Sequence, residues 1–291
     1  MFKSLLKLSR PIHLLLAALT YTLGAGIAHY LGQPVRAASF GLGLLAVLAL
    51  LGAAFLFAEY FRLPLMPLLQ GETPRQSERF RVTLLQVSYA ALTLSTVAIL
   101  TLLLTHSLNL PADILLVLAF LFLVAYAVPP MHLSETGYGE LILAITLGTL
   151  LPALALLLQY GQLHRLLPFT TFPLTLLALA YQLVCNFPAF ATDQKLGRHT
   201  LLTRLTWQRA VPIHHFLVLA AFLLFAAEPF LKYPLGLVWP VFLALPFAAI
   251  QMIWLQRIAN GGRTLWNFLT ALASATFGLT AYLLALTFWI R

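Results

Sequence analysis

Polar and charged positions along this chain gather into clumps, and the apolar runs between them lack any alternation of period two. The runs cover approximately residues 12–31, 38–58, 82–105, 112–128, 139–160, 166–186, 209–227, 233–254 and 265–288. Each is long enough to cross the roughly 30 Å hydrocarbon core of a bilayer as a helix. In lipid a backbone must satisfy its own hydrogen bonds, so a chain without the short alternating segments of a barrel crosses as helices. The pattern predicts an all-α integral membrane protein with nine transmembrane helices, forming a single polytopic domain over residues 1–291. The opening residues, MFKSLLKLSR, have the basic front of a signal peptide. The apolar run behind them is long enough to span and has no convincing cleavage site after it, so it is expected to remain as the first helix.

Composition agrees with the pattern: 61% of residues are hydrophobic and 9% charged, against about 25% charged in a soluble domain. The net charge of +9 would suit a nucleic-acid partner, but its placement argues against one. With the N-terminus cytoplasmic, thirteen basic residues fall on that side: Lys3, Lys7, Arg10, Arg62, Arg75, Arg79, Arg81, Lys195, Arg198, Arg204, Arg209, Arg257 and Arg263. Only Arg36, Arg165, Lys232 and Arg291 fall on the other. This asymmetry follows the positive-inside rule and supports both the span count and the orientation, as expected of a bacterial inner-membrane protein. The lone Cys185 excludes an internal disulfide and a cysteine metal cluster.

The polar mass sits in loops on the predicted cytoplasmic side, at 59–81, 129–140 and 187–208. In the first, Thr73 is expected to cap a helix that begins at Pro74, with Gln76 as the reciprocal partner. In the last, CNFPAFATDQKLGRHTLLTRL (185–205), Pro188 is expected to end the sixth helix and Gly197 to cap a short helical piece. That stretch holds Asp193, the second of only two aspartates in the chain.

Three segments carry a family resemblance. They are SRPIHLLLAALTYTLGAGIAHYLG (9–32), YAVPPMHLSETGYGEL (126–141), and the polar stretch, where Pro188, Asp193, Gly197, Arg198, Thr200 and Leu201 fall in register with an acidic family motif. Together they resemble the UbiA superfamily of intramembrane prenyltransferases over nearly the whole chain. The resemblance implies a nine-helix bundle around a central cavity, with two Asp-rich loops holding Mg²⁺ and a prenyl diphosphate. It also implies transfer of the prenyl group to a lipophilic aromatic acceptor, as in quinone biosynthesis. Such chemistry needs cations to neutralise the departing diphosphate and a dry pocket for the carbocation.

The chain departs from the family where the acids should be. Ala189 and Ala191 stand at acidic positions of the second motif, and Cys185 at its asparagine. Where the first motif is due, the chain reads FAEYFRLPLMPLLQGETPRQ (57–76), with Glu59 the nearest acid and Met66 at a family arginine. Carried over residue by residue, the resemblance makes Glu59 and Asp193 the catalytic and metal-binding carboxylates. Arg62, Lys195 and Arg198 would neutralise the diphosphate. Ion pairing of Glu59 with Arg62, and of Asp193 with Arg198, is the competing reading of these acids, and loop charge that anchors topology that of the basic residues. Glu140 is expected to face the N-terminal dipole of the fifth helix, and His132 stands at a family basic position. Two carboxylates suit one Mg²⁺ bridged by substrate phosphates, not several, so metal-dependent transfer is expected to be weakened or absent. The alternative function is a catalytically inactive subunit that binds a quinone, pigment or lipid, or packs with partners in a larger membrane complex.

Overall fold

The computed structural model describes residues 2–62, 74–231 and 233–291, and side chains from Ser4 to Arg62, Glu78 to Leu231 and Tyr233 to Arg291. The expected cap residue Thr73, the side chain of its partner Gln76 and the family arginine position at Met66 lie outside the described residues. What is described is helical, with no strand among those residues, and it contains nine helices long and apolar enough to cross a membrane. In order these are spans 1 (Pro11–Tyr30), 2 (Ala37–Tyr60), 3 (Glu78–Leu104), 4 (Leu110–Ala127) and 5 (Gly139–Tyr160). Spans 6 (Leu166–Lys195), 7 (Leu201–Leu231), 8 (Leu235–Ala259) and 9 (Trp266–Ile290) complete the set.

Burial sorts the spans into inner and outer. In span 5, 78% of the most apolar window is buried within the protein; in span 3 the figure is 22%. Span 1 packs mainly on spans 5 and 9, span 2 on span 3, and span 6 on spans 5 and 7. Since lipid is as apolar as leucine, close backbone approach rather than water exclusion holds such helices together. Gly24 of span 1 meets the backbone of Pro152 on span 5 so closely that a Cβ would overlap its carbonyl. Gly148 of span 5 faces Thr175 of span 6 in the same way, beside a 2.8 Å hydrogen bond between the hydroxyls of Thr149 and Thr175.

Span 5 is not a regular helix. A π-turn covers Thr146–Leu150, immediately before Pro152. Proline has no N–H for the carbonyl one turn back, and its ring crowds that carbonyl, which accounts for the widened turn.

The expected boundaries differ most from the structure at the start of span 7, with smaller shifts at spans 3 and 8. As expected, the main α-helix of span 6 ends beside Pro188 and a short helical piece follows. The α-helix gives way at Asn186 to a 3₁₀ turn, Phe187–Ala189, and then resumes over Phe190–Lys195. A proline at the second position of a new turn needs no N–H partner, so the chain is redirected rather than stopped. Span 7 starts at Leu201 and not near 209. Thr206, with φ 63° and ψ 162°, divides it into a short polar piece and the apolar crossing, and the hydropathy pattern sees only the second. The cap at Gly197 is as expected, with φ +66°.

Candidate active site

At the end of the bundle that carries residues 2–10, a cavity of about 320 Å³ opens among spans 1, 4, 5 and 6. Its wall includes Arg10, His13, Tyr126, Glu140, Cys185, Asn186, Asp193 and Arg198. Each of these groups is presented by a local turn or a helix end.

Asp193 and Arg198 are placed by a single helix ending. With Gly197 left-handed, the Arg198 N–H reaches the Asp193 carbonyl at 2.8 Å and the Gly197 N–H reaches the Gln194 carbonyl at 3.4 Å. These two bonds form a Schellman ending, which needs a residue tolerant of positive φ at that one position. The same fold-back brings Arg198 Nη1 to 3.4 Å from Asp193 Oδ1, and Arg198 Nε lies 3.3 Å from Glu135 Oε1. Asp193 is 3% exposed.

Arg10 is the hub on the opposite wall. It caps span 1 in a left-handed conformation (φ 51°, ψ 64°), directly before Pro11. An α-type backbone before proline is sterically disfavoured and a left-handed one costs about 1–2 kcal/mol, so its surroundings hold it there. Its Nη1 donates to the Tyr126 hydroxyl at 3.1 Å, its Nη2 lies 3.5 Å from Glu59 Oε1, and its guanidinium stands 5.1 Å from the centre of the Phe55 ring. Burial opposes the charge, but Tyr126 and Glu59 outweigh it and hold the guanidinium above its ordinary pKa. Arg10 therefore stays cationic throughout the working range of pH.

Glu59 is 7% exposed and pairs with both Arg10 and Arg62, the latter at 3.1 Å. It is not among the residues lining the cavity and meets it through Arg10. Arg62 is close enough to Asp193 to act on it electrostatically. Lys195 is exposed and lies off the cavity wall. Of the five residues inferred from sequence, the cavity wall thus gathers Asp193 and Arg198, with Glu59 and Arg62 behind it.

Glu140 is the residue the motif reading left outside the site. It is 6% exposed, and its Oε1 accepts from Asn186 Nδ2 at 2.5 Å and from the Leu201 N–H at 3.0 Å. It stands in the first turn of its own helix, as expected, and also braces the start of span 7 and the end of the first segment of span 6. Its Oε2 is buried with no hydrogen-bond partner. The signal available in the sequence was the acid at the head of an apolar span, where a lone carboxylate is costly. Arg10 also carried a signal, as the Arg-Pro pair that opens span 1. Glu78 is exposed and does not line the cavity.

His13 completes the floor. Its Nε2 is 3.2 Å from Gln182 Oε1 and its Nδ1 is 3.2 Å from the Tyr181 hydroxyl. Arg10, His13 and Cys185 also line a second, larger space of about 990 Å³, bounded by Leu6, Pro11, Ile12, Tyr181, Ala271 and Ser274, among others. Polar cavity and largely apolar groove thus share a wall at span 1, with span 9 across the groove.

Comparison with protein-family models and with curated protein sequences gives no match. Comparison with solved structures does. A UbiA homolog from Archaeoglobus fulgidus bound to DMAPP and Mg²⁺ superimposes with a TM-score of 0.59 at 17% identity, over 96% of this chain and 99% of that one. The chain has the UbiA fold. The same homolog bound to Cd²⁺ gives a TM-score of 0.56 at 18% identity, again over 96% of this chain and 99% of that one. The structure of a digeranylgeranylglyceryl phosphate synthase gives 0.58 at 16%, over 99% of this chain and 97% of that one. The UbiA-type bundle implied by the motifs is therefore present, with nine spans among the described residues.

No group of three or more His, Cys, Asp or Glu side chains that could hold a metal is found among the described residues. The donor set still suits one hard divalent ion. Asp193 and Glu140 both line the cavity, and Glu140 Oε2 is an unpartnered buried oxygen. Mg²⁺ commonly takes one or two carboxylates and completes its shell with substrate phosphates and water.

Proposed function

We propose that this chain is a UbiA-type prenyltransferase that takes an isoprenyl diphosphate and alkylates a lipophilic aromatic acceptor, as in quinone biosynthesis. The observation that carries this reading is the shared wall of Arg10, His13 and Cys185 between a charged cavity and an apolar groove. A prenyl diphosphate has the same division, a multiply charged head on a hydrocarbon tail.

In this reading the head lies in the cavity and the tail in the groove. Arg10 and Arg198 donate charge-assisted hydrogen bonds to the diphosphate oxygens, with Arg62 adding positive charge from behind. Glu59 orients Arg10 and Arg62, and Glu135 and Asp193 orient Arg198, so the donors are placed before charge develops. The C–O bond of the prenyl diphosphate breaks with its electron pair leaving on diphosphate. The acceptor's nucleophilic atom bonds to the allylic carbon and loses a proton. When bound, Mg²⁺ supplies further neutralisation of the departing diphosphate. Tyr126 in the cavity wall and Tyr181 in the groove wall supply aromatic surfaces that keep water from the cation. Lys195, at the exposed end of span 6, serves as an entry charge for the anionic head.

The site opens toward the cytoplasm of a bacterial inner membrane in this reading, as the basic loops predict. The test is transfer of radiolabelled geranyl diphosphate to a panel of hydroxylated aromatic acceptors, by purified protein in nanodiscs. Product above the empty-nanodisc control with Mg²⁺, abolished by excess chelator, is the expected result.

A second reading, a quinone-, pigment- or lipid-holding subunit of a membrane complex, is favoured by Ala189 and Ala191 in the acidic motif. It predicts no transfer to any acceptor, together with stoichiometric co-purification of bound lipid or protein in native mass spectrometry.

A further inference from the structure

We infer that Glu140, and not Glu59, pairs with Asp193 as the second carboxylate of a divalent-cation site in this cavity. The inference deepens the prenyltransferase reading, from which the expectation of a metal comes, and it rests on how the acids of the site are already engaged.

Glu59 is committed. Its two oxygens face two different guanidinium groups, Arg10 at 3.5 Å and Arg62 at 3.1 Å, and it does not line the cavity. Releasing it to a metal would strip both arginines of this partner in a buried place, which charge burial strongly disfavours. Glu135 is engaged with Arg198 and lies near His132. Asp193 presents one oxygen to Arg198 at 3.4 Å, a loose contact, and lines the cavity.

Glu140 is divided between two tasks. Oε1 is occupied by Asn186 and the Leu201 N–H, which fix the side chain, while Oε2 is buried without a partner. A buried carboxylate oxygen left unpaired costs free energy that a structural brace alone does not require. A hard cation resolves that cost, because it accepts a monodentate carboxylate from a fixed side chain and fills its remaining positions with phosphate and water. Glu140 comes from the head of span 5, outside both acidic motifs. Arg10 and Arg198 act electrostatically on Glu140. They limit binding of a bare ion and favour an ion arriving with diphosphate.

The experiment uses Mn²⁺, a hard ion of similar ligand preference, observed by electron paramagnetic resonance with the full chain in nanodiscs. Titrations are run with and without inorganic diphosphate, on wild type and on Glu140→Gln, Glu140→Asp, Glu59→Gln and Asp193→Asn. The Glu140→Gln variant retains a carbonyl oxygen as the acceptor for Asn186 and Leu201, and thus the brace; a thermal midpoint within a few degrees of wild type confirms this. Glu140→Gln and Asp193→Asn are each expected to weaken Mn²⁺ binding by roughly tenfold or more. Glu59→Gln is expected to change it by less than about threefold, and Glu140→Asp, which keeps the charge on a shorter arm, to fall between. Unchanged affinity in Glu140→Gln, or no loss of the free Mn²⁺ signal on adding wild type under either condition, overturns the inference. The prenyltransferase reading fails separately, by absence of geranyl diphosphate binding and transfer in the wild type, and leaves the Mn²⁺ result standing.

Discussion

Asp193 shows how much a single residue's role depends on its neighbours. Its side chain is buried, paired with Arg198 and set into the cavity wall by the turn at Gly197. If it serves the developing charge on diphosphate, Asp193→Ala lowers the rate of prenyl transfer at least about tenfold, equal to about 1.4 kcal/mol of transition-state stabilisation. A rate within twofold of wild type in single-turnover assays would remove Asp193 from the machinery. Glu59 predicts a different signature. Because it holds two partly buried arginines, Glu59→Ala is expected to destabilise the protein by about 2–3 kcal/mol. That loss is read as a lower thermal midpoint in detergent. A destabilised variant whose residual activity has an unchanged KM for the prenyl diphosphate would mark Glu59 as a positioning residue. The motif reading identified both acids but ranked them equally. It also offered pairing of Glu59 with Arg62 and of Asp193 with Arg198, and both pairs are present; that Asp193 lines the cavity while Glu59 does not was beyond it.

Helix endings and helix contacts set the next scale. Gly197 adopts φ +66° with open space around its Cα, so its requirement is conformational rather than steric. Gly197→Ala is therefore expected to cost only about 1 kcal/mol in stability. It should nonetheless loosen the turn that aims Arg198, raising the KM for the prenyl diphosphate more than it alters the melting point. Gly24 is the reverse case, where space decides. A side chain there must displace the backbone of Pro152, so Gly24→Leu is expected to destabilise by about 1–3 kcal/mol or more and to lower the yield of folded protein. Near-native stability of that variant would contradict the packing of span 1 on span 5. The Gly197 cap was legible in sequence because glycine before a basic residue at a helix end has a local cause. The Gly24 contact was not, because its partner, Pro152, lies far away along the chain.

Across the whole molecule, the loops at the cavity end carry most of the basic residues, which predicts one orientation in the membrane. With Cys185→Ala as background, Gln33→Cys is expected to react with a membrane-impermeant maleimide in intact cells. Gln194→Cys is expected to react only after permeabilisation. The reverse pattern would invert the topology. The nine spans found among the described residues were each legible in the sequence, since a run of apolar side chains about 20 residues long has few other destinations than a bilayer. The departures arose where polar helix continues beyond the hydrocarbon. The example is the piece of span 7 before Thr206.

The sequence by itself determined the membrane class, the number of spans, the asymmetry of charge and the resemblance in spacing around Asp193 and Gly197. Each of these depends on interactions within a turn or on transfer between water and lipid, which local composition governs. Only the tertiary structure decided which charges meet. Arg10 and Glu59 are brought together by the packing of spans 1 and 2. Glu140, Asn186 and Leu201 come from three different spans. Whether a carboxylate is paired or left with an open oxygen depends on the direction of groups distant in the chain, and no local pattern records that direction.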